Sequence, residues 1–110
     1  MKKVNFYKKK YEALETFYGW VDQGSDYNIA VEQSIYYDNI EDDLDKIIFN
    51  ITVATRFARC GKEISNTFRE RLEGIITKYK ILNIEVYNLS EKEKSILDEE
   101  VKEIKIMLQE

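Results

Sequence analysis

The segment KIIFNITVATRFA, residues 46–58, is the most apolar part of this 110-residue chain and decides its fold. Its apolar residues exceed the single stripe of an amphipathic surface helix, so the pattern predicts a helix that is contacted on several sides. The chain has no proline and only four glycines, which favours long helices because these two residue types break helices most strongly. We therefore expect a central helix over about residues 40–60.

The flanking segments repeat their apolar residues at intervals of three and four, which is typical of helices. They predict a first helix over about residues 3–21, a second from Ser25 or Asp26 to about Tyr37, a fourth after Gly61, and a last one opening at the capping box SEKE, residues 90–93. Residues 81–89 fit a helix poorly and could form a short extended connector. The predicted fold class is all-α: a single domain, residues 1–110, built as a bundle of four to five helices.

The chain contains eight tyrosines, and they fall into two groups. Four lie on the predicted core stripes, where we expect the rings to pack inward with their hydroxyl groups at the rim: Tyr7, Tyr11, Tyr18 and Tyr79. Tyr36 and Tyr37 are adjacent to each other and to a run of acidic residues. Tyrosine is enriched in binding hot spots, so this second pair is a candidate for contact with a partner.

The charges lie in blocks along the chain. Residues 1–10 carry five lysines and no acid, residues 11–45 carry ten acids and no base, and residues 46–80 carry eight bases against three acids. In one interpretation, the acidic block packs against residues 46–80 and is neutralised there. In the other, which we favour because the block has no base of its own, part of it stays exposed and meets a basic partner.

The segment YYDNIEDDLD, residues 36–45, concentrates this acidic charge. Some of it has a structural explanation: Asn39 could be the N-cap of the central helix, with Glu41, Asp42 and Asp43 in the first turn. Each such charge contributes about 0.3–1 kcal/mol, which leaves the remaining acids unexplained. The candidate partner-binding residues are Asp26, Glu32, Tyr36, Tyr37, Asp38, Glu41, Asp42 and Asp45.

The composition argues against several kinds of catalysis. Histidine is absent, which removes the commonest general base and the commonest metal ligand. Cys60 is the single cysteine, and without a histidine to activate it we interpret it as a small buried apolar residue. We expect no catalytic residues, no metal and no cofactor.

Two alternatives remain open. Glu12 and Glu15 share one helix face and could hold Mg²⁺ together with Asp42 and Asp45, a layout that resembles the all-α nucleotide pyrophosphohydrolases. That family begins its site with adjacent glutamates, whereas residues 11 and 13 here are tyrosine and alanine. The other alternative is a phage-type inhibitor whose acidic face mimics nucleic acid.

The N-terminal sequence MKKVNFYKKKYEALE has no apolar core of the signal-peptide kind, and no apolar run approaches the ~20 residues of a membrane span. The chain is therefore predicted to be cytoplasmic. We interpret the N-terminal lysines as a solvated surface, so we expect neither nucleic acid nor a membrane as a partner.

As a whole, the chain resembles the small all-α immunity proteins of bacterial polymorphic-toxin systems. The resemblance rests on its size, its helix-only pattern, the missing histidine and proline, and the order of YYDNIEDDLD and KIIFNITVATRFA. It implies a non-enzymatic inhibitor that binds one cognate toxin domain and blocks its active site or its assembly. The acidic, tyrosine-bearing segment would suit a toxin domain with a basic surface.

Overall fold

The computed structural model describes residues 2–36, 42–61 and 63–109, except for the side chains of residues 35 and 36. In these ranges the chain forms five α-helices, which confirms the predicted all-α bundle. They are α1 (Phe6–Asp22), α2 (Tyr27–Tyr36), α3 (Asp43–Arg59), α4 (Asn66–Ile81) and α5 (Glu91–Gln109). None of the helices in the described ranges is long and apolar enough to cross a membrane.

Helix α3 is the centre of the bundle, as its sequence predicts. It contacts each of the other four helices, and every residue from 47 to 55 is buried. The buried stretch includes Thr52, whose hydroxyl oxygen accepts a hydrogen bond at 3.1 Å from Nζ of Lys10 on α1. Lys10 also pairs with Glu100 of α5. A small polar contact therefore joins α1, α3 and α5 beside the apolar core.

The first turn of α3 differs from its prediction. The N-cap is Asp42, whose Oδ1 accepts from the backbone N–H groups of Leu44 at 3.0 Å and Asp45 at 3.1 Å. The predicted cap was Asn39, which is wrong by three residues; Asn39 itself lies outside the described residues. The helix ends as predicted at Gly61, where φ is +70° and glycine carries no steric penalty.

The prediction that Tyr7, Tyr11 and Tyr18 of α1 point inward is wrong. The buried residues of this helix are Phe6, Ala13 and Phe17, whereas all three of its tyrosines are exposed: Tyr7, Tyr11 and Tyr18. Two apolar stripes run side by side on α1, and the stripe with phenylalanine is the one that packs on α3. A phenyl ring buries without a polar group, whereas a buried phenol needs a hydrogen-bond partner.

Tyr79, the fourth tyrosine assigned to the core, meets its prediction. It lies on α4 and is partly buried against the core, and burial, followed by the Asp98 carboxylate of α5, raises the pKa of its hydroxyl group. The ring packs against the core, and its hydroxyl group lies near the Asp98 carboxylate at the edge of the core.

The connector between α4 and α5 is only partly extended. Residues Ile84–Val86 form a 3-10 turn because the side chain of Asn83 accepts from the backbone N–H of Glu85 at 3.1 Å. Extended pairing begins at Tyr87, which forms a parallel bridge with Lys2. Helix α1 begins at Phe6 rather than at residue 3, because Asn5 is its N-cap and accepts from the backbone N–H of Lys8 at 3.2 Å.

The start of α5 confirms the predicted capping box. The backbone N–H of Glu93 donates to the hydroxyl of Ser90 at 3.1 Å, and the backbone N–H of Ser90 donates to the Glu93 carboxylate at 2.9 Å. The two residues thus satisfy each other's unpaired backbone donors at the helix start.

Candidate functional site

The candidate residues do not all lie together. Asp42 and Asp45 are at the first turn of α3. Glu32 belongs to α2, and Asp26 directly precedes this helix. Tyr36 is the last residue of α2, and its side chain lies outside the described part of the structure. Three further candidates lie outside the described residues altogether: Tyr37, Asp38 and Glu41.

Besides the backbone N–H groups that it caps, Asp42 contacts one hydroxyl group and one lysine. Its Oδ2 accepts from the Tyr87 hydroxyl at 3.2 Å and lies 4.0 Å from Nζ of Lys2. The side chain of Asp42 is still 33% exposed, and that of Lys2 is 65% exposed. The carboxylate therefore contacts its own fold on one side and water on the other.

Asp45 lies in a crowded acidic environment. Its burial raises the pKa of the carboxyl group; Lys9 lowers this pKa, and the carboxylates of Asp42 and Glu12 raise it further. Asp45 and Glu12 line a shared surface depression of about 190 Å³ together with three lysines, Lys3, Lys8 and Lys9. Burial and the two carboxylates outweigh Lys9, so the pKa of Asp45 lies above its ordinary value.

Asp43 is the most exposed of the described acids at this helix start. Its Oδ1 lies 3.9 Å from Nζ of Lys78 on α4, and the two side chains are 59% and 46% exposed. Ion pairs of such length and exposure contribute about 0–1 kcal/mol. Lys78 thus gives Asp43 a loose partner from residues 46–80, whereas Asp42 pairs with Lys2 and Asp45 has Lys9 beside it. We call Asp42, Asp43, Asp45 and Glu12 the acidic cluster.

Asp26 and Glu32 have structural roles away from this cluster. The Asp26 carboxylate accepts from the backbone N–H of Ile29 at 2.9 Å, which caps the start of α2. Glu32 accepts from the hydroxyl of Ser65 at 2.8 Å, and that hydroxyl in turn accepts from the backbone N–H of Phe68 at 3.2 Å as the N-cap of α4. Glu32 therefore ties α2 to the start of α4.

The tyrosines of α1 form an exposed face that the sequence pattern did not predict. Residues 7, 11, 14 and 18 are spaced by four, three and four positions, so they lie on one side of the helix. The exposed fractions are 52% for Tyr7, 68% for Tyr11 and 36% for Tyr18. A signal was present in the sequence: phenylalanine at residues 6 and 17 marks the inner stripe, and the tyrosines follow it by one residue. We call Tyr7, Tyr11, Leu14 and Tyr18 the tyrosine ridge.

The carboxylates proposed to hold Mg²⁺ are only partly brought together. Glu12 and Asp45 line the same depression, but Nζ of Lys9 already lies 3.2 Å from Glu12, and Glu15 is exposed elsewhere on α1. Within the ranges that the structure describes, no group of three or more histidine, cysteine, aspartate or glutamate residues could hold a metal ion.

Protein-family models, curated proteins and solved structures were compared with the chain, and none of them matches it. What the described site offers chemically is a set of hydrogen-bond acceptors for cationic groups. The acidic cluster supplies carboxylates, and another face of α1 supplies exposed phenol rings. Both are suited to contact with a protein surface rich in arginine or lysine.

Proposed function

We propose that this chain is an immunity-type protein, a cytoplasmic inhibitor that binds and neutralises a cognate bacterial toxin domain with a basic surface. The observation that carries the proposal is the loose pairing of Asp42 and Asp43, the two members of the acidic cluster whose ion pairs are longest. The nearest cations lie 4.0 Å from Asp42 and 3.9 Å from Asp43, and all four side chains remain open to solvent. These acids can therefore exchange their own lysines for the cations of a partner.

The energetics favour such an exchange. An exposed ion pair within the fold contributes about 0–1 kcal/mol. Close charge pairs in a protein–protein interface, where water is excluded, reach coupling energies of about 1.5–7 kcal/mol. The charge that remains on the acidic cluster would also attract a basic toxin over a distance and raise the rate of encounter.

The mechanism that fits this surface is occlusion. In a toxin that cleaves nucleic acid, the substrate cleft is lined with cations that hold phosphates. The carboxylates of the acidic cluster would occupy the positions of those phosphates, and tyrosine rings would supply the apolar contact beside them. The inhibitor would need no catalytic residue of its own.

Growth protection tests this proposal. The toxin domain encoded beside this gene would be expressed with the wild-type chain or with the variant Asp42→Asn/Asp43→Asn/Asp45→Asn. Asparagine caps helices about as well as aspartate, so the variant loses charge while it keeps its N-cap. We expect the affinity for the toxin domain to fall at least about tenfold, and protection to weaken with it.

The matched control is Glu70→Gln/Glu73→Gln, which removes two exposed carboxylates from α4 and should protect as the wild type does. Thermal unfolding of each variant establishes that it is folded. Full protection by the triple variant, or the lack of any toxin domain that the wild type neutralises, would refute the proposal.

A further inference from the structure

We propose that a small pocket between α1, α3 and α5 binds a phosphate group, either the free ion or the phosphate of a small phosphorylated molecule. The pocket has a volume of about 100 Å³, well below the roughly 300–1,000 Å³ of sites that enclose drug-sized ligands. It has room for a phosphate group but not for a nucleotide. Its polar lining residues are Lys10, Thr52, Thr55, Arg56, Arg59 and Glu100. None of them belongs to the acidic cluster, so the site is independent of the proposed inhibitor function.

One side of α3 supplies most of these residues. Residues 52, 55, 56 and 59 follow one another at helical spacing and therefore share a face. Thr55 is buried, with 2% of its surface exposed, and its hydroxyl oxygen has no hydrogen-bond partner within the described residues. Buried polar groups are nearly always hydrogen-bonded. The Thr55 hydroxyl is therefore available to a group that enters the pocket.

The pocket holds a surplus of hydrogen-bond donors. The Thr52 hydroxyl already accepts from Nζ of Lys10 at 3.1 Å, which leaves its own proton to donate. Arg56 carries several N–H donors. Its guanidinium carbon lies 5.9 Å from the centroid of the Tyr18 ring, and it forms no ion pair with the described residues. A ligand that offers only acceptor oxygens matches this surplus of donors.

The charges at the pocket favour an anion. Three of the lining residues are cations and one, Glu100, is an acid. The Glu100 carboxylate pairs with Lys10. A second acid nearby, Glu103, lies 3.5 Å from the guanidinium of Arg59 and is 41% exposed. Each acid thus has its own partner, and the charge of Arg56 is left uncompensated by the part of the chain that the structure describes.

The donors are restrained before a ligand arrives. Nζ of Lys10 lies 5.5 Å from the centroid of the Phe6 ring and also contacts Thr52 and Glu100. Side chains that are already restrained lose little conformational freedom on binding. Two hydroxyl groups and two guanidinium groups offer more donors than the two oxygens of a carboxylate can accept, so the additional oxygens of phosphate suit the pocket better.

An NMR titration of the ¹⁵N-labelled full chain with sodium phosphate, at an ionic strength held constant with sodium chloride, tests the site. We expect saturable amide shifts along residues 52–59 and near residues 10 and 100. Arg56→Gln should weaken phosphate binding at least about tenfold, because charge-assisted hydrogen bonds are lost. Thr55→Val keeps the shape of the side chain but lacks the hydroxyl, and should weaken binding by about two- to tenfold.

Thermal unfolding without phosphate separates binding from folding. Thr55→Val removes a buried hydroxyl that has no partner within the described residues, so its melting temperature should equal or exceed that of the wild type. A structural role of this hydroxyl predicts the opposite. Arg71→Gln, on α4 and outside the pocket, is the matched control and should bind phosphate as the wild type does.

Two further titrations identify the class of ligand. Acetate should bind more weakly than phosphate. A comparison of phosphate with O-phosphoserine distinguishes the free ion from a phosphorylated molecule, and binding of either one supports the site. The proposal would be overturned by the lack of a saturable shift, by wild-type affinity of Arg56→Gln or Thr55→Val, by a lowered melting temperature of Thr55→Val, or by acetate binding as tight as that of phosphate.

Discussion

Tyr87 joins the connector before α5 to the first turn of α3 through one hydrogen bond. The residue is buried, with 4% of its surface exposed, and its hydroxyl donates to Oδ2 of Asp42 at 3.2 Å. Burial, followed by the charge and hydrogen bond of Asp42, raises the pKa of Tyr87. Ionising this phenol is therefore harder in the folded chain than in the unfolded chain.

The raised pKa of Tyr87 predicts a loss of stability at alkaline pH. As the pH rises past about 10, the ordinary pKa of tyrosine, the unfolded chain releases this proton first, so the free energy of unfolding falls. Tyr87→Phe should be less stable at neutral pH, by about 0.5–1.5 kcal/mol for the lost hydrogen bond, yet should lose less stability between about pH 9 and 11. Urea unfolding across this range measures both effects.

Tyr79→Phe is a second variant with the same expected effect, because the pKa of Tyr79 is also raised by burial and by Asp98. Each single variant should reduce the alkaline loss, and the double variant should reduce it further. If Tyr87→Phe and the wild type lose stability equally as the pH rises, the contact between Tyr87 and Asp42 does not act as described.

At the scale of elements, the sequence predicts helices better than it predicts their faces and first residues. The capping box at Ser90 and the stop at Gly61 are local chemistry, and both are found. The face of α1 is not local, because only contact with α3 decides between two neighbouring apolar stripes. The start of α3 was placed too early because several residues in YYDNIEDDLD are good N-caps.

The N-cap of α3 gives a prediction at this scale. Asp42→Ala should lower the free energy of unfolding by about 0.5–2 kcal/mol, because two backbone donors lose their acceptor, and by up to about 1.5 kcal/mol more because the Tyr87 hydroxyl loses its acceptor as well. Asp42→Asn should stay within a few tenths of a kcal/mol of the wild type. Chemical denaturation measures the difference.

Asp43→Ala, at the adjacent exposed position, serves as the control for Asp42→Ala and should cost less, because it removes a charge from the first turn but no acceptor of a backbone N–H. An equal loss for Asp42→Asn and Asp42→Ala would mean that charge, rather than capping, makes Asp42 important to α3.

At the scale of the whole molecule, the sequence predicts the core but not the pairing of its charges. The central position of α3 follows from its apolar composition, since a helix that is apolar all round must be covered on all sides. The acids of α3 are paired with lysines whose positions depend on the path of the N-terminal residues. That path is set in part by the bridge between Lys2 and Tyr87, which the charge pattern of the sequence does not predict. The exposure of the tyrosine ridge could not be predicted for the same reason, because exposure is a property of the assembled bundle.

The central claim is that the acidic cluster is available to a cationic partner. The most direct test is the association rate with the toxin domain, measured by stopped flow at low and at physiological salt for the wild type and Asp43→Asn/Asp45→Asn. Because the Debye length falls from about 30 Å at 0.01 M to about 8 Å at 0.15 M, the variant should associate more slowly at low salt, and the difference should shrink at high salt. Equal rates for both proteins at both salt concentrations would contradict the account.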